Sequence, residues 1–416
     1  MNPTNSNTWC VNVFHGLQAS NGGETRACCM YRRQEEVPEL KLGIDALEKH
    51  FNYKELVQLR KDATDGVRNP GCRRCWEEED GGISSKRVRD NKKYKERIQK
   101  GLEEYQGLAF LELNLGNTCN LRCRTCGPHA SSQWAKESFD VYYKNTVEHS
   151  KFTEFIRRYN NSYDDDSPFW EDLENNLPTI KKLDFYGGEP FMAKKMWRIL
   201  QVAVEKGYAN DIELNYATNG SFWPDEIDYF RHFKLVNISF SIDGVGKQFE
   251  FLRYLSDWTV VRENMEKARS YQAKHPNVKV GWCITLSNLN IYNLPELIEE
   301  YYKNYKNFGC YLNLVHAPRP FNIGIMPDDI KKTVLDKLYA VPKEYKHIWS
   351  QLPGIIGFIE NGVHESENWE KFLDKICIHD EYRSQDYAEV FPEFANIIGY
   401  SNDRVLDYAR ISSDPY

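Results

Sequence analysis

The sequence predicts an α/β fold in which a largely parallel β-sheet is covered by helices. Stretches with strand character and stretches with helix character alternate six times in the middle of the chain, which is typical of such a sheet. Candidate functional residues directly follow the first four of these strands, at the edge where parallel strands end together. At 416 residues the chain exceeds what one core usually organises, so two or three domains are expected.

The predicted strands are short, and amphipathic helix-like stretches separate them. The strands are Phe110 to Leu115, Leu183 to Tyr186, Ile212 to Ala217, Leu235 to Ile242, Val278 to Leu286 and Tyr311 to Val315. The helices are Ala130 to Tyr143, Trp170 to Asn175, Lys194 to Lys206, Pro224 to Arg231, Trp258 to Lys274 and Leu294 to Tyr305. Further helix-like stretches begin at Asp328 and continue toward the end of the chain.

Composition limits the possible functions and locations. A net charge of -7 and a pI near 5.9 argue against general nucleic-acid binding, which needs a basic surface. The basic stretch from Lys86 to Arg97 is interpreted as the solvated face of a connecting helix. There is no apolar run of membrane-spanning length and no secretory signal, so we expect a cytoplasmic protein without a membrane segment. In that reducing compartment, 11 cysteines indicate metal binding rather than disulfides.

Three cysteines follow the first predicted strand at a spacing suited to an iron–sulfur cluster. Cys119, Cys123 and Cys126 are separated by three and then two residues. Three thiolates hold only three corners of a four-iron four-sulfur (4Fe-4S) cube, which leaves one iron open to a ligand that is not protein. The amino-acid end of S-adenosylmethionine (SAM) can chelate such an iron. The alternative is a zinc site with His129 as the fourth ligand.

A glycine-rich segment one strand later supports the iron interpretation. The segment from Tyr186 to Pro190 reads Tyr-Gly-Gly-Glu-Pro and follows the second strand. Taken in this order, the two motifs resemble the radical SAM superfamily, whose glycine-rich motif receives the SAM amino group. The resemblance implies a partial (β/α)6 barrel with these groups on one rim. It also implies that SAM is bound by Gly187, Gly188, Glu189, Pro190, Asn219, Ser241, Asp243 and, as a carboxylate-binding residue, Arg253.

Some of these positions have structural alternatives. Asn219 precedes Gly220, a pair that is typical of a plain turn. Ser241 and Asp243 follow the pattern of the family's ribose-contacting strand, but they equally suit a helix cap or a turn. No side chain stands out as an acid or base, so the catalytic residues are left unassigned.

A second set of cysteines precedes the predicted barrel. Cys10, Cys28, Cys72 and Cys75 resemble the ligands of the twitch or SPASM auxiliary-cluster modules of radical SAM maturases. In those modules a glycine precedes the second cysteine by four intervening residues, as Gly23 precedes Cys28 here. The resemblance implies a second iron–sulfur cluster with four protein ligands, which is closed to SAM. A zinc ribbon formed by the same four thiols is the alternative.

Cys29 is the other candidate for the second ligand position. Adjacent side chains on an extended strand point to opposite faces, so only one of Cys28 and Cys29 can face the cluster. The glycine spacing favours Cys28. The other cysteines, Cys283, Cys310 and Cys377, have no second cysteine nearby, which predicts one auxiliary cluster and favours the twitch type.

These patterns predict four regions. Residues 1–85 form the auxiliary-cluster module, 86–106 a basic helical linker, 107–325 the partial barrel and 326–416 a C-terminal helical extension. The module precedes the barrel here, whereas it follows the barrel in most enzymes that carry one.

The resemblance implies an iron–sulfur oxidoreductase that cleaves SAM reductively to a deoxyadenosyl radical, which takes hydrogen from a substrate. Relatives with such modules often modify peptides or proteins, so oxidation or crosslinking of a peptide is the first hypothesis. The second is a radical SAM enzyme for a nucleotide, sugar or other small molecule, with a purely structural N-terminal module. The third is a non-catalytic scaffold of metal knuckles. The implied electron donor is a flavodoxin or ferredoxin, and we expect neither general nucleic-acid binding nor a membrane partner.

Overall fold

The computed structural model describes residues 7–20, 24–33, 40, 45–80, 84–94, 107–143, 153, 168–345, 348 and 350–406. Gly23 of the predicted module, residues 95–106 of the predicted linker and residues 407–416 of the predicted extension lie outside these ranges. The chain divides into two compact units. The first comprises Met1–Asn117, Arg158–Tyr216 and Asp225–Asn237, and the second comprises Thr118–Arg157, Ala217–Pro224 and Ile238–Tyr416.

The elements follow one another as short strands and mostly short helices. The strands are β1 (Gly16–Ala19), β2 (Thr25–Arg26), β3 (Phe110–Asn114), β4 (Arg122–Cys123), β5 (Lys182–Tyr186), β6 (Glu213–Thr218), β7 (Leu235–Ser241), β8 (Arg253–Tyr254), β9 (Val278–Leu286) and β10 (Gly309–Leu314). The helices are α1 (Val11–His15), α2 (Leu47–Phe51), α3 (Lys54–Asp65), α4 (Arg73–Asp80), α5 (Lys86–Tyr94), α6 (Trp134–Ser138), α7 (Pro168–Asn176), α8 (Lys194–Glu205), α9 (Lys247–Leu252), α10 (Trp258–Lys274), α11 (Leu294–Asn304), α12 (Asp328–Tyr339), α13 (Leu352–Glu360), α14 (Ser366–Arg383), α15 (Tyr387–Val390) and α16 (Pro392–Ile397). None of the described helices is long and apolar enough to cross a lipid bilayer.

In the first unit the strand order is β7-β6-β5-β3-β1-β2. Strand β3 pairs in parallel with β1 and with β5, and β5 pairs in parallel with β6, whereas β2 pairs antiparallel with β1. The register places Glu112 of β3 opposite Gln18 of β1 and opposite Asp184 of β5. Asp184 in turn lies opposite Asn215 of β6. One face of this part of the sheet therefore carries a row of polar side chains.

The opposite face of this part of the sheet is apolar, because side chains alternate along a strand. Phe185 of β5 is buried and stacks on Tyr216 of β6, with ring centroids 5.2 Å apart. Tyr216 stacks in turn on Phe230 at 5.1 Å, and Phe230 on Trp197 of α8 at 5.6 Å. Helix α8 thus covers this face through its aromatic and aliphatic stripe.

In the second unit the strand order is β10-β9-β7. Strands β9 and β10 pair in parallel, with Leu286 opposite Leu314. Trp282 of β9 is buried and packs on Tyr301 of α11 at 5.5 Å and on Tyr305 at 4.7 Å. Strands β4 and β8 form a separate antiparallel ladder of two residues each. Helices α12 to α16 follow the last strand.

The prediction of an α/β fold with a parallel central sheet is confirmed. All six predicted strands are present, and their ends differ from the predicted ones by no more than two residues. The helix predicted from residue 224 is a 3₁₀ helix, Asp225–His232. Strand β1 was not predicted, and it extends the sheet with a segment from near the start of the chain. The separate N-terminal module and the C-terminal extension stay predictions.

The helix predicted over Ala130 to Tyr143 is wrong in its first turn. The α-helix covers only Trp134–Ser138 and continues as a π-helical turn, Phe139–Tyr143. The preceding residues form turns instead, in which the hydroxyl of Ser131 accepts the amide of Gln133 at 3.3 Å and so competes with helical backbone bonds.

The interpretation of the basic stretch as a solvated face is wrong for the start of α5. Lys86 lies 2.9 Å from the carboxylate of Glu112, and its side chain is 15% exposed. Arg87 forms an ion pair with Glu79 and donates to the carbonyl of Trp9 at 2.9 Å. These partners lie far from α5 in the sequence or on another element, so the charge run alone did not reveal them.

Candidate functional site

The three predicted cluster cysteines lie in one loop of the second unit, Cys119 to Cys126, which we name the cysteine loop. The amide of Cys126 donates to the carbonyl of Cys123 at 3.0 Å and closes a turn between these two cysteines. The amide of Leu121 lies 3.5 Å from the sulfur of Cys119. Cys119 is buried, and the other two cysteines are half-buried. The loop therefore presents three thiols, one of which already receives a backbone donor of the kind that tunes iron–sulfur clusters.

A short strand pair brings a cation to the cysteine loop. Strands β4 and β8 pair so that Arg253 lies opposite Cys123. Nη1 of Arg253 is 3.9 Å from the sulfur of Cys123, and Nη2 is 2.7 Å from the carboxylate of Asp243. Asp243 is held in turn by the amide of Thr285, which donates to Oδ1 at 2.8 Å. The guanidinium is thereby fixed between a carboxylate and a thiol.

These contacts make one cysteine of the loop more acidic than an ordinary thiol. A hydrogen bond from Cys123 lowers the pKa of Cys126, and the charge of Arg253 lowers it further against the opposing effect of burial. Burial by itself lowers the pKa of Arg253, but the charges of Asp243 and Cys123 outweigh it, and the pKa of Arg253 is raised. Because iron binds thiolates rather than thiols, this arrangement favours ligation.

Three of the residues predicted to bind SAM contact the cysteine loop or Arg253. Nδ2 of Asn219 lies 2.9 Å from Oδ1 of Asn120 and 3.7 Å from the sulfur of Cys119. Asp243 forms the ion pair with Arg253 described above. Ser241 is half-buried at the end of β7. Asn219 and Arg253 thus contact the cysteine loop directly, and Asp243 reaches it through Arg253.

The glycine-rich segment lies in the first unit, where it turns sharply after β5. Gly187 has φ of +83°, and a Cβ there would lie 1.8 Å from Oδ1 of Asn114, so only glycine fits. Gly188 also has a positive φ, 56°. The carboxylate of Glu189 is buried and accepts the amide of Phe191 at 3.2 Å. Glu189 therefore caps the 3₁₀ turn that begins at Pro190.

The four N-terminal cysteines of the predicted auxiliary site line one cavity of the first unit, which we name the four-cysteine cavity. They come from separate elements: Cys10 precedes α1, Cys28 follows β2, Cys72 ends a 3₁₀ turn and Cys75 lies in α4. The cavity encloses about 510 Å³, including the space open to solvent. Its other walls include Val13, Ala27, Tyr31, Leu59, Ala63, Trp76, Lys86 and Arg87.

Burial dominates the acidity of these thiols. It raises the pKa of Cys10 to about 11. It also raises the pKa of Cys28, Cys72 and Cys75, although the charge of Lys86 partly opposes this at Cys28. Mutual repulsion of Cys10 with Cys28, Cys72 and Cys75 acts in the same direction. Four thiolates can therefore coexist here only when a cationic centre compensates their charge.

Cys28 and Cys29 lie in different surroundings, although they occupy a bend and a turn after β2 and not the extended strand that the prediction assumed. Cys28 is buried and lines the cavity, whereas Cys29 is exposed and is absent from its walls. The amide of Cys29 donates to Glu112 at 2.7 Å, and its sulfur lies 3.7 Å from the same carboxylate. The side chain of Cys29 is thus directed to the polar row of the sheet.

The donor chemistry of both sites fits iron–sulfur clusters, since one offers three thiols and a neighbouring cation and the other offers four thiols in a largely apolar cavity. In the part of the chain that the structure describes, no three His, Cys, Asp or Glu side chains converge closely enough to hold a single metal ion. The candidate ligands of iron–sulfur clusters are seven cysteines, three on one loop and four around one cavity.

Several residues that support the cysteine loop were missed by sequence reasoning. Nε1 of Trp134 donates to the carbonyl of Cys123 at 3.1 Å. Arg124 is almost fully buried, and Arg122 donates to the buried carboxylate of Glu137 at 3.0 Å. The sequence gives little indication of these supporting residues. The one available signal is that Arg122 and Arg124 flank Cys123.

Comparison with known proteins finds a family match for the middle of the chain. Residues 113–286 match the model of the Radical SAM superfamily. A GTP 3',8-cyclase of Campylobacter fetus subsp. fetus (strain 82-40) is 26% identical over 138 residues, which cover 33% of this chain and 35% of that protein. The chain thus spans about a third of the length of this curated relative.

Solved structures resemble the chain at low identity. Native anSMEcpe with bound AdoMet and Cp18Cys peptide is 14% identical, with a TM-score of 0.37 and 64% of each chain covered. Streptococcus suis SuiB bound to S-adenosylmethionine is 13% identical, with a TM-score of 0.36, 73% of this chain and 59% of that chain covered. SuiB bound to the precursor peptide SuiA is 12% identical, with a TM-score of 0.34, 83% of this chain and 69% of that chain covered.

The matched segment contains the cysteine loop, the glycine-rich segment and all the residues predicted to bind SAM. A 4Fe-4S cluster and SAM are the cofactors of this superfamily. Residues 113–286 therefore carry the sequence of a radical SAM domain.

Proposed function

We propose that this protein is a radical SAM enzyme that oxidises or crosslinks a peptide or protein, with a SAM-binding cluster on the cysteine loop and a second cluster in the four-cysteine cavity. The observation that carries the proposal is the family match over residues 113–286, which includes a loop with three thiols and Arg253 at 3.9 Å from one of them. Electrons would come from a small carrier such as a flavodoxin or ferredoxin.

The residues of the second unit would hold and tune the SAM-binding cluster. Cys119, Cys123 and Cys126 would bind three irons, and the open iron with SAM would supply reductive cleavage to methionine and a deoxyadenosyl radical. Arg253 would stabilise the thiolate form of the loop cysteines, because its charge lowers the pKa of Cys126. The amide of Asn219, close to the sulfur of Cys119, would act as a further donor toward the cluster.

In the first unit, the glycine-rich segment would receive the amino group of SAM. The backbone of Gly187 and Gly188 takes up conformations that other residues adopt only with strain, and the missing Cβ at Gly187 leaves room for the side chain of Asn114 against the turn. Ser241 and Asp243, in the second unit, would contact the ribose or methionyl part. Because Asp243 already pairs with Arg253, SAM would have to share or exchange this carboxylate.

The four-cysteine cavity would hold a cluster without an open iron, since Cys10, Cys28, Cys72 and Cys75 can occupy four coordination positions. Such a group suits electron transfer from the substrate or structural support. Lys86 stands at the wall and would offset the negative charge of the thiolates.

A peptide is the first choice of substrate because the N-terminal cysteine pattern resembles the modules of peptide-modifying maturases. A nucleotide is the second, and the partial match to a GTP 3',8-cyclase favours it. Under that alternative the N-terminal site would only stabilise the fold. Counting iron, sulfide and zinc in the protein tests the zinc alternatives and the metal-knuckle scaffold as well.

The experiment begins with anaerobic reconstitution of the full chain and counting of iron, sulfide and zinc. About eight irons per chain support two clusters, about four support one, and zinc without iron supports the scaffold. Release of deoxyadenosine from SAM under reduction then tests catalysis. Cys123→Ala should abolish release, and Cys29→Ala, which removes a cysteine outside both sites, should leave it unchanged.

The substrate class is tested by deuterium transfer. Extract from cells grown in heavy water is divided into a peptide fraction and a fraction of small metabolites, and each is supplied to the enzyme with unlabelled SAM. Deuterated deoxyadenosine from the peptide fraction, lost after protease treatment, supports the proposal. Deuterium transfer from the metabolite fraction alone, or faster release of deoxyadenosine when GTP is added, supports the nucleotide alternative.

A further inference from the structure

The side chain between two of the loop cysteines is anchored deep inside the second unit. Arg124 follows Cys123, and it is 1% exposed. Its Nε donates to the carbonyl of Phe251 at 3.1 Å, and its guanidinium carbon lies 3.6 Å from the centre of the Phe251 ring. A charge buried to this degree is stable only when it is paired and hydrogen-bonded.

Helix α14 supplies the paired charge. Asp380 forms an ion pair with Nη2 of Arg124, and Gln385, just beyond the helix, accepts from the same nitrogen at 3.0 Å. The other oxygen of Asp380 accepts the amide of Tyr387 at 2.7 Å and the hydroxyl of Tyr400 at 2.6 Å. Asp380 is 2% exposed. The carboxylate is therefore fixed by two residues that follow α14, Tyr387 and Tyr400, and directed at the cysteine loop.

The last residue of α14 provides a second anchor on the other side of Cys123. Arg383 lies 2.9 Å from the carboxylate of Glu137, which is fully buried and also accepts from Arg122 at 3.0 Å. The guanidinium of Arg383 lies 4.8 Å from the ring centre of Trp134. Trp134 in turn donates to the carbonyl of Cys123. The last turn of α14 thus reaches both residues that flank Cys123 in the chain.

Such a network favours one geometry, because Arg124, Asp380, Glu137 and Arg383 each lose a buried partner when another is displaced. Among the described residues, Nη1 of Arg124 and Nη1 of Arg383 have no hydrogen-bond partner. Groups that orient metal ligands from outside the ligand set commonly set the affinity for the metal. Asp380 and Arg124 are 256 residues apart in the chain, so the cysteine loop takes its shape only after α14 has packed.

We propose that the last turn of α14 positions the SAM-binding cluster: Asp380 and Arg383 hold Arg124 and, through Glu137, Arg122, and thereby fix the three loop cysteines for cluster binding. Asp380 and Arg383 are positioning residues in this scheme and do not contact SAM. The inference rests on the proposed ligand role of the loop cysteines.

The test replaces Asp380 by asparagine in the full chain, reconstituted anaerobically. The readouts are the change that SAM causes in the electron paramagnetic resonance spectrum of the reduced protein and the rate at which a chelator removes that SAM-sensitive signal. Because only a cluster with an open iron responds to SAM, the second cluster does not contribute. We expect Asp380→Asn to weaken iron retention at this site about 10- to 100-fold, as for other groups that orient metal ligands.

The matched control is Asp374→Asn on the same helix. Asp374 is also fully buried and pairs with an arginine, Arg404, at 2.7 Å. Arg404 also forms an ion pair with Glu370 of the same helix, so this pair ties α14 to the segment that contains Arg404. Asp374→Asn should therefore lower the melting temperature of the second unit without changing the SAM-sensitive signal.

Two further variants cover the case in which Asp380→Asn does not fold. Gln385→Ala removes one hydrogen bond to Arg124 and leaves the ion pair intact, so we expect a smaller change in the same direction. Arg383→Lys keeps the charge but loses the forked contact with Glu137, and it should also weaken the signal.

The outcomes separate this inference from the proposed function. If the unaltered chain shows no SAM-sensitive spectrum, the proposed function fails. If the unaltered chain shows it, and Asp380→Asn and Asp374→Asn then behave alike, the positioning role is wrong while the proposed function stands. The inference is supported when the variants at Asp380, Arg383 and Gln385 alter the signal and Asp374→Asn does not.

Discussion

The two cysteine sites differ in how the chain assembles them. The loop cysteines lie within one short segment, and a neighbouring strand pair adds Arg253 beside Cys123. The four N-terminal cysteines extend from Cys10 to Cys75 and meet only because separate elements pack around one cavity. The first site therefore depends on local sequence and a few distant anchors. The second depends on the packing of an entire N-terminal segment.

The electrostatic settings of the sites differ in the same way. Burial raises the pKa of every thiol in the four-cysteine cavity, that of Cys10 to about 11. In the cysteine loop, the hydrogen bond between Cys123 and Cys126 lowers the pKa of Cys126 and raises that of Cys123, while the charge of Arg253 lowers the pKa of both. Such a pair can keep one thiolate ready for an incoming cluster, whereas thiols that burial keeps protonated need the metal before they ionise.

The largest expected effect is the loss of SAM cleavage in Cys123→Ala. The variant removes one of three iron ligands in the loop, and no other cysteine of this loop can replace it. Deoxyadenosine release under anaerobic reduction should fall to background, while the iron held by the four-cysteine cavity persists. Full activity in Cys123→Ala would mean that the loop is not the SAM site.

A second substitution removes a proposed ligand of the four-cysteine cavity and leaves the cysteine loop intact. Cys72→Ala opens the wall of the four-cysteine cavity, so iron per chain should fall by about half, from about eight to about four. Deoxyadenosine release without substrate should continue, because the cysteine loop is untouched. Cys310→Ala, which removes a half-buried cysteine outside both sites, is the control. Equal iron content in both variants would contradict an auxiliary cluster.

A third change tests the turn after β5. Gly187→Ala forces a Cβ to within 1.8 Å of Asn114 at a φ of +83°, so strain of about 1–2 kcal/mol adds to an overpacking cost of about 1–3 kcal/mol. Gly207→Ala has a similar φ, +79°, with no atom within 4 Å, and should cost only the strain. Denaturant unfolding measures both, and equal losses would show that the contact with Asn114 does not matter.

The smallest effect concerns acid. Burial lowers the pKa of His15, in the first unit, from 6.5 to about 4. The unfolded chain binds this proton first, so stability is complete above pH 6.5 and declines by at most about 3 kcal/mol as the pH falls toward 4. Burial also lowers the pKa of His379 in the second unit. His15→Gln should remove the part of this acid response that His15 contributes, and denaturant unfolding at pH values from about 4 to about 7 measures the difference.

Much of the fold could be predicted because the hydrophobic periodicity of each segment indicates its secondary structure. The six predicted strands and the turn at Gly187 and Gly188 followed from alternation, glycine and spacing alone. The grouping of the N-terminal cysteines followed from resemblance, and the structure brings all four to one cavity; their metal stays a prediction. Strand β1 was missed because its pattern is short and is understood only beside β3.

The supports of the cysteine loop could not be predicted, for a physical reason. Arg124 and Asp380 meet through tertiary packing, and neither carries a local signal that announces the other. The role of Glu189 in SAM binding stays a prediction. In the structure its buried carboxylate accepts the amide of Phe191 and caps the 3₁₀ turn that begins at Pro190, a contact that the sequence did not predict.

The bridge between Lys86 and Glu112 has a consequence for damage by oxygen. Lys86 stands at the wall of the four-cysteine cavity and binds Glu112 of β3, which also holds the amide of Cys29. Neither of these two contacts involves a thiol of the proposed ligand set. If the cavity binds a cluster as proposed, loss of that cluster to oxygen would leave both contacts in place, so we expect fresh iron and sulfide to restore the site without refolding of the chain.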